Sequence, residues 1–295
     1  MKAGKVKVAL IQTTVEDDKP RHVQKTLERV REAASRGAKL ICLQELFASP
    51  YFCQVEDSAL FDLAEPIPGP TSEAVSACAK ELGVSIVVPL FEKRAPGVYH
   101  NSLIVAGPDG ASLGMYRKMH IPDDPLFYEK YYFTPGDLGF KTFQTPEANV
   151  GTLICWDQWY PEAARLTALR GSQILVYPTA IGWHPAEKAE FGAAQLSAWQ
   201  TIQRSHAIAN GVFVIAVNRV GHEGPKDGGL QFWGHSFVAD PFGVVLAEAG
   251  EGEETLVVEL DLSRQEWVRR NWPFYRDRRI DAYGDITSRF IDGSR

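Results

Sequence analysis

Residues 149–162 read NVGTLICWDQWYPE, an apolar run that gives way directly to a polar and aromatic turn ending in proline and glutamate. The run predicts a buried strand over Val150–Cys155, and the proline predicts the start of a helix over Pro161–Arg170. A strand that turns at once into a helix start places the Cys155 thiol at the strand's carboxyl end, near backbone N–H groups that can hold an anion. Cys155 is therefore the first candidate for a functional residue, and the alternative is a small buried hydrophobe.

Strands and helices alternate on both sides of this junction. In chain order we predict strand Lys5–Gln12, helix Lys19–Arg36, strand Lys39–Gln44, helix Thr71–Leu82, strand Val84–Leu90, a hairpin of Asn101–Ala106 with Ala111–Tyr116, strand Val150–Cys155, helix Pro161–Arg170, strand Gln173–Tyr177, helix Glu187–Asn210, strand Val212–Asn218, a hairpin of Ser236–Ala239 with Val244–Glu248, strand Thr255–Leu260 and a short helix from Ser263. Each half contains strand, helix and strand and ends in a hairpin. This repetition predicts two half-sheets with helices outside, a single four-layer α-β-β-α sandwich over residues 1–295, with one doubly wound sheet as the alternative.

Composition and charge exclude several classes of function. A formal net charge of −6 argues against binding to nucleic acid or an anionic membrane, and no apolar stretch has the length of a membrane span. The first residues run straight into a strand pattern without the features of a signal peptide, so a cytoplasmic location is expected. The four cysteines show no metal-ligand or disulfide spacing, so we expect no metal and no cofactor.

The segment from Arg264 to Arg279 differs from the rest of the chain. It carries six arginines against two acids and interleaves them with tryptophan, phenylalanine and tyrosine. Arginine and aromatic residues are enriched at protein interfaces, and the acidic chain argues against a nucleic-acid partner. We therefore expect residues from about 262 to 295 to form an arm at a subunit interface of a homo-oligomer.

Two charged residues stand at strand ends that resemble the position of Cys155. Glu45 follows an apolar strand and lies among apolar neighbours, a setting that suits a general base. Lys118 ends the second strand of the first hairpin, and strand alternation allows its side chain to point inward while Arg117 points outward. Together with Cys155 they supply a base, a cation for an oxyanion and a nucleophile, and an adjacent ammonium favours the thiolate.

Three segments carry a resemblance to a known family: LQELF around Glu45, RKMHIP around Lys118 and ICWDQWYPE around Cys155. They resemble the nitrilase, or carbon–nitrogen hydrolase, superfamily over roughly residues 5–280. The resemblance implies that Glu45 is the general base, that Lys118 stabilises the tetrahedral intermediate and that Cys155 attacks the carbonyl carbon. It also implies that Glu129, in FYEKYYF, organises Lys118. The implied fold is a four-layer sandwich that dimerises into eight layers.

The residues after Cys155 bear on the charge of the substrate. Family members that act on N-carbamoyl amino acids resemble one another in placing arginine there, whereas this chain has Trp156 and Asp157, which suit an amine or a neutral chain. We expect Trp156, Asp157 and Tyr51 to contact the substrate, and the alternative role for Asp157 is to cap the following helix.

The segments around Glu129 and Cys155 look closest to those of N-carbamoylputrescine amidohydrolases, which implies hydrolysis of a ureido group to putrescine, carbon dioxide and ammonia. The stretch GWHPAEKAEFG at residues 182–192 departs from the pattern of that group and is expected at the mouth of the pocket. The alternatives are hydrolysis of N-carbamoyl-β-alanine or N-carbamoyl amino acids, an omega-amidase or aliphatic amidase, and, outside enzymes, an inactive scaffold of the same fold.

Overall fold

Fifteen strands build two six-stranded sheets and one smaller sheet in the computed structural model, which describes residues 4–292. The strands are β1 (Lys5–Gln12), β2 (Leu40–Leu43), β3 (Ser85–Ala95), β4 (Val98–Ala106), β5 (Ser112–Arg117), β6 (Lys141–Gln144), β7 (Asn149–Thr152), β8 (Ile174–Pro178), β9 (Gly182–Trp183), β10 (Phe213–Val217), β11 (Val220–Glu223), β12 (Leu230–Trp233), β13 (Phe237–Ala239), β14 (Val245–Glu248) and β15 (Glu254–Asp261).

Residues 4–292 also form six α-helices, the last of which follows β15. They are α1 (Lys19–Ser35), α2 (Pro70–Leu82), α3 (Glu129–Tyr132), α4 (Pro161–Leu169), α5 (Lys188–Asn210) and α6 (Ser263–Asn271), and short 3-10 helices cover Phe52–Gln54, Ser58–Leu63, Cys155–Trp159, Ile280–Ala282 and Gly284–Thr287. Helix α2 ends because Gly83 adopts a left-handed conformation with φ of 61°, which glycine reaches without steric cost. No helix among residues 4–292 is both long and apolar enough to cross a membrane.

The two large sheets have related arrangements. The first has the order β15-β1-β2-β3-β4-β5, with β1, β2 and β3 parallel to one another, and the second has the order β14-β13-β10-β8-β7-β6, with β7, β8 and β10 parallel. In each sheet an antiparallel hairpin extends one side of the parallel strands. The prediction of two half-sheets is confirmed, and the alternative of one doubly wound sheet is wrong.

Alternation along the strands decides which layer each side chain enters. In β1, Val8 and Leu10 belong to the core between the two large sheets, together with residues of the second sheet such as Val176. The intervening Ala9 and Ile11 pack with the helices α1 and α2 on the outside of the first sheet. Because both faces of these strands are buried, the chain forms four layers in the order helix, sheet, sheet, helix, as the sequence predicted.

Most predicted elements match the observed ones to within one to three residues, and three differences affect the site. Strand β7 ends at Thr152, so Cys155 does not end a strand but opens a 3-10 helix. Strand β6 was not predicted. Neither was the third sheet, in which β12 pairs with β11 and β9. Its strands are short and irregular in hydrophobic pattern, and one of them contains only two residues.

Candidate active site

Three strand ends meet at one edge of the sandwich. Glu45 follows β2, and Lys118 follows β5, which runs in the same direction as β2 because two antiparallel pairings separate it from β3. Cys155 follows β7 of the other sheet. All three side chains are buried, and the structure brings them together. The site therefore lies between the two sheets, with its base and cation on one and its thiol on the other.

Lys118 lies between two buried carboxylates. Its Nζ donates to Glu45 Oε1 at 2.8 Å and to Glu129 Oε2 at 2.6 Å, and all three side chains have no exposed surface. Burial disfavours the ammonium, but the two carboxylates outweigh burial and raise the pKa of Lys118 well above its ordinary value. Lys118 is therefore a fixed positive charge in a region without water to screen it.

The two oxygens of Glu45 have different surroundings. Oε1 accepts from Lys118 and also from Asn101 Nδ2, at 2.7 Å. Oε2 is buried and has no hydrogen-bond partner among residues 4–292. An unpartnered buried carboxylate oxygen is costly to the fold, and it is also the atom that can accept a proton. Asn101 was not predicted from sequence, although an amide inside an apolar strand is a signal of an inward-facing polar contact.

Glu129 is held from both sides at the first residue of α3. Its Oε2 accepts from Lys118, and its Oε1 accepts from the Tyr51 hydroxyl at 2.7 Å. Burial raises the pKa of Glu129 to about 7, against the opposing effect of Lys118. Tyr51 was expected to contact substrate, but its side chain is buried against Phe127 and Phe232 and its hydroxyl orients Glu129 instead.

Cys155 has an unusual backbone. Its φ of 41° lies in the left-handed region, which residues other than glycine, asparagine and aspartate rarely adopt. Burial raises the pKa of the Cys155 thiol well above its ordinary value, Glu45 raises it further, and Lys118 opposes both. The ammonium of Lys118 does favour the thiolate, as expected, but burial and Glu45 outweigh it, so a base is needed to remove the proton.

Asp157 does not reach the pocket. Its Oδ2 accepts from the Tyr116 hydroxyl at 2.7 Å and from the Ile154 backbone N–H at 2.9 Å, while its Oδ1 accepts from the His120 backbone N–H and faces the His120 ring. The side chain is fully buried. The expected contact of Asp157 with substrate has no support in this geometry. Its carboxylate closes the turn that begins at Cys155, whereas the following helix α4 has no side-chain cap, so the alternative role of capping that helix is not observed.

An open pocket of about 580 Å³ leads to Cys155 and Glu129. Its lining includes four aromatic side chains, among them the predicted Trp156, and two acids near the surface, Asp124 and Glu187. Glu187 Oε2 accepts from Gln195 Nε2 at 2.8 Å. The stretch at residues 182–192 contributes Gly182, His184, Ala186 and Glu187, so the sequence placed it correctly at the pocket. Asp124 was not singled out from sequence.

The lining residues are Pro122, Asp124, Pro125, Phe127, Glu129, Cys155, Trp156, Trp159, Ala180, Ile181, Gly182, His184, Ala186, Glu187, Gln195, Ala198 and Trp233.

The lining residues that the structure describes include no lysine and no arginine. Within residues 4–292, no group of three or more histidine, cysteine, aspartate and glutamate side chains is arranged to hold a metal ion. The chemistry available at the floor of the pocket is therefore that of a thiol, two carboxylates and an ammonium.

Comparison with known proteins gives concordant results. The family model described as carbon-nitrogen hydrolase matches residues 7–270. The chain is 44% identical to an N-carbamoylputrescine amidase from Solanum lycopersicum, covering 98% of this chain and 96% of that protein, and 38% identical to a citrullinase from Francisella tularensis, covering 97% and 99%. The crystal structure of a carbon-nitrogen hydrolase from Helicobacter pylori G27 superimposes with a TM-score of 0.95 at 47% identity, covering 98% and 100%.

The raised pKa of Glu129 predicts a pH dependence of stability. The folded pKa of about 7 exceeds the ordinary 4.5, so the folded protein binds this proton more tightly, and the contribution of Glu129 to the free energy of unfolding falls as pH rises from 4.5 to about 7. Glu129→Gln removes this contribution, so the decline over that window should be smaller in the variant. Urea denaturation at several pH values measures it, with the exposed Glu190→Gln as control. Equal slopes for wild type and Glu129→Gln would contradict the prediction.

Proposed function

This chain belongs to the carbon–nitrogen hydrolase family, and we propose that it hydrolyses N-carbamoylputrescine to putrescine, carbon dioxide and ammonia through a covalent intermediate on Cys155. The resemblance drawn from the segments around Glu45, Lys118 and Cys155 is confirmed by the family match, and the chain is a cysteine-dependent C–N hydrolase. The observation that carries the proposal is a buried ammonium between two carboxylates, beside a thiol, at the floor of a pocket. Above Glu129, the charged residues that line this pocket within residues 4–292 are all acids.

The first half of the proposed reaction forms a bond to sulfur. Glu45 accepts the thiol proton on Oε2 as the Cys155 sulfur attacks the ureido carbon. The carbonyl oxygen becomes an oxyanion, which Lys118 and the backbone N–H of Trp156 stabilise. Collapse of this intermediate breaks the bond to the terminal NH₂ group, Glu45 returns the proton to it, and ammonia leaves. A carbamoyl group bearing the aminobutyl chain remains on the sulfur.

The second half reverses the roles. Glu45 accepts a proton from water, the hydroxide attacks the carbamoyl carbon, and the same donors stabilise the oxyanion. The carbon–sulfur bond breaks, the thiol recovers its proton, and the released carbamic acid decomposes to putrescine and carbon dioxide. Glu129 takes part by holding Lys118 opposite Glu45, so the ammonium cannot turn toward either carboxylate alone. The Lys118 ammonium, held by the two carboxylates, can thus stabilise both oxyanions without rearrangement.

The mouth of the pocket supports an amine-bearing substrate. Asp124 and Glu187 supply negative charge there, and the aromatic walls of Trp156 and Trp159 favour an alkylammonium chain through cation–π contacts. Citrulline, the substrate class that the name of the Francisella tularensis relative indicates, carries a carboxylate beside its amine. No lysine or arginine lines the described pocket to bind such a carboxylate, which favours the simple amine.

We also propose that the chain forms a homo-oligomer through its arm. Beyond α6 the described residues expose large apolar side chains: Ile280 is 74% exposed, Ile286 63% and Phe290 79%. Exposed apolar clusters of this kind mark interaction surfaces more often than free surface. A second copy of the chain can cover the arm, and the same surface includes Leu166 and Leu169 of α4, which are also exposed.

Cys155→Ala should abolish turnover while leaving the fold intact, because no other described thiol lies in the pocket. The expected loss of kcat for ammonia release from N-carbamoylputrescine is at least about 1,000-fold. Cys78→Ala, on α2 away from the site, is the matched control and should keep its rate. Activity in Cys155→Ala near the wild-type level would refute the scheme. A wild type that releases ammonia faster from citrulline or N-carbamoyl-β-alanine would refute the proposed substrate alone.

The acids at the mouth should determine the preference for an amine. Asp124→Asn combined with Glu187→Gln should raise KM for N-carbamoylputrescine about 10- to 100-fold, since two charged contacts of about 1–3 kcal/mol are weakened. For N-butylurea, which lacks the ammonium, kcat/KM should change less than about threefold. Glu190→Gln, a neighbour outside the pocket lining, serves as the control. An unchanged ratio of kcat/KM between the two substrates would show that these acids do not bind the amine.

The arm should control association. Sedimentation should give a species of at least twice the 32.7 kDa chain mass, and Ile280→Ser with Ile286→Ser should shift it toward the monomer. Val55→Ser, another exposed apolar residue in the first half of the chain, should leave the mass unchanged. A wild type that sediments as a monomer at micromolar concentration would contradict the proposal.

A further inference from the structure

Arg219 is a fully buried arginine that no step of the proposed reaction uses. It lies between β10 and β11, on the second half of the chain, and its guanidinium reaches across to the loop that follows β2. Nη2 donates to the backbone carbonyls of Glu45 and Leu46 at 2.7 and 3.1 Å, and Nη1 donates to that of Ser49 at 3.4 Å. Burying a charged group is expensive unless it is paired, so these contacts need a compensating anion.

Glu223 is that anion, and it makes a second contact with the same loop. Its Oε1 accepts from Arg219 Nη1 at 2.8 Å, while its Oε2 accepts from the Tyr51 backbone N–H at 2.5 Å. Arg219 directly precedes β11 of the third sheet, and Glu223, four positions later, is the last residue of that strand. One buried ion pair therefore binds the loop over residues 45–51 at four backbone groups.

This loop carries two supports of the catalytic floor. Its first residue is Glu45, and its last is Tyr51, whose hydroxyl holds Glu129. Between them Leu46 has a φ of 47°, a conformation that leucine adopts only where its surroundings impose it. Without the guanidinium, the buried carbonyls of the turn would lose their donors and the turn would relax. The positions of both carboxylates around Lys118 thus depend on the backbone that Arg219 and Glu223 hold.

The pair also connects the two halves of the site. Glu45 and Lys118 follow strands of the first sheet, whereas Cys155 and Arg219 follow strands of the second. We propose that Arg219 and Glu223 form a positioning pair that keeps the Glu45 and Glu129 carboxylates aligned with the Cys155 thiol. This inference rests on the proposed role of Glu45 as the base for Cys155, and it adds two residues that touch neither substrate nor thiol.

Arg219→Lys is the informative change. Lysine keeps the charge, but a single ammonium cannot reach four acceptors that a planar guanidinium spans. Displacement of the carboxylates by a fraction of an ångström should lower kcat about 10- to 100-fold. KM should stay within about threefold, because the amine-binding acids and aromatic walls lie at the mouth of the pocket and are untouched. Glu223→Gln should also lower kcat, because the amide has a single oxygen and cannot accept from both the Tyr51 N–H and Arg219, and the buried guanidinium loses its anion.

A second measurement does not depend on the identity of the substrate. The rate at which iodoacetamide alkylates Cys155, followed by mass spectrometry of its peptide, reports how well Glu45 removes the thiol proton. In Arg219→Lys this rate should fall about tenfold near neutral pH and recover only at higher pH. Arg29→Lys, which replaces a guanidinium paired with Glu253 far from the pocket, is the matched control and should change neither rate.

The outcomes separate the possible roles. A lower kcat with an unchanged KM and a slower, pH-shifted alkylation, measured well below the melting temperature, supports positioning. A lower melting temperature with wild-type kcat and wild-type alkylation shows that Arg219 serves only the stability of the fold, and overturns the inference. If wild type does not hydrolyse N-carbamoylputrescine, the proposed function fails, while the alkylation rates still decide the role of Arg219.

Discussion

The ion pairs between Lys118 and the carboxylates of Glu45 and Glu129 are the constraint on which the site depends. All three groups are removed from water, so each charge is tolerated only because the others are in place. Two carboxylates share one ammonium, and burial of this excess of negative charge is consistent with the raised pKa of Glu129, while loss of the ammonium would leave both carboxylates unpaired in the core. This mutual dependence fixes the three side chains more rigidly than packing alone, and it leaves one oxygen of Glu45 as the only basic atom of the cluster that faces no donor in the described protein.

The four-layer architecture makes this cluster possible. Two sheets packed face to face bury their strand ends as well as their strands, so a polar group placed just beyond β2, β5 or β7 is enclosed rather than hydrated. Hydrogen bonds such as that from Asn101 to Glu45 stabilise the enclosed charge. The Asp157 carboxylate closes the turn at Cys155. The strained φ at Cys155 follows from the same geometry, because the chain must leave the strand and present the thiol to the pocket within three residues.

Sequence alone could predict what depends on local pattern. The period of the apolar residues predicted the strands and helices of both halves, and the positions of Glu45, Lys118 and Cys155 after apolar runs made them candidates for the site. The sequence alone could not predict which side chains lie opposite one another in the folded protein. Asp157 is polar and follows the thiol, yet it turns inward because Tyr116, distant in sequence, offers a hydroxyl there. Likewise Arg219 reads as an ordinary residue after a strand, and only tertiary structure shows that the acceptors for its guanidinium come from residues 45–49. The thiol's raised pKa escaped prediction for the same reason, since burial depends on the whole fold.

The separation between a sealed floor and an open mouth has a consequence for redesign. The charges at the floor are closed to solvent and coupled to one another, whereas Asp124 and Glu187 sit at the surface, where a substitution disturbs no buried network. New specificities should therefore be reachable by exchanging mouth residues alone, with the hydrolytic machinery carried along unchanged. Libraries directed at Asp124 and Glu187 would vary the substrate that is bound and leave the reaction unchanged.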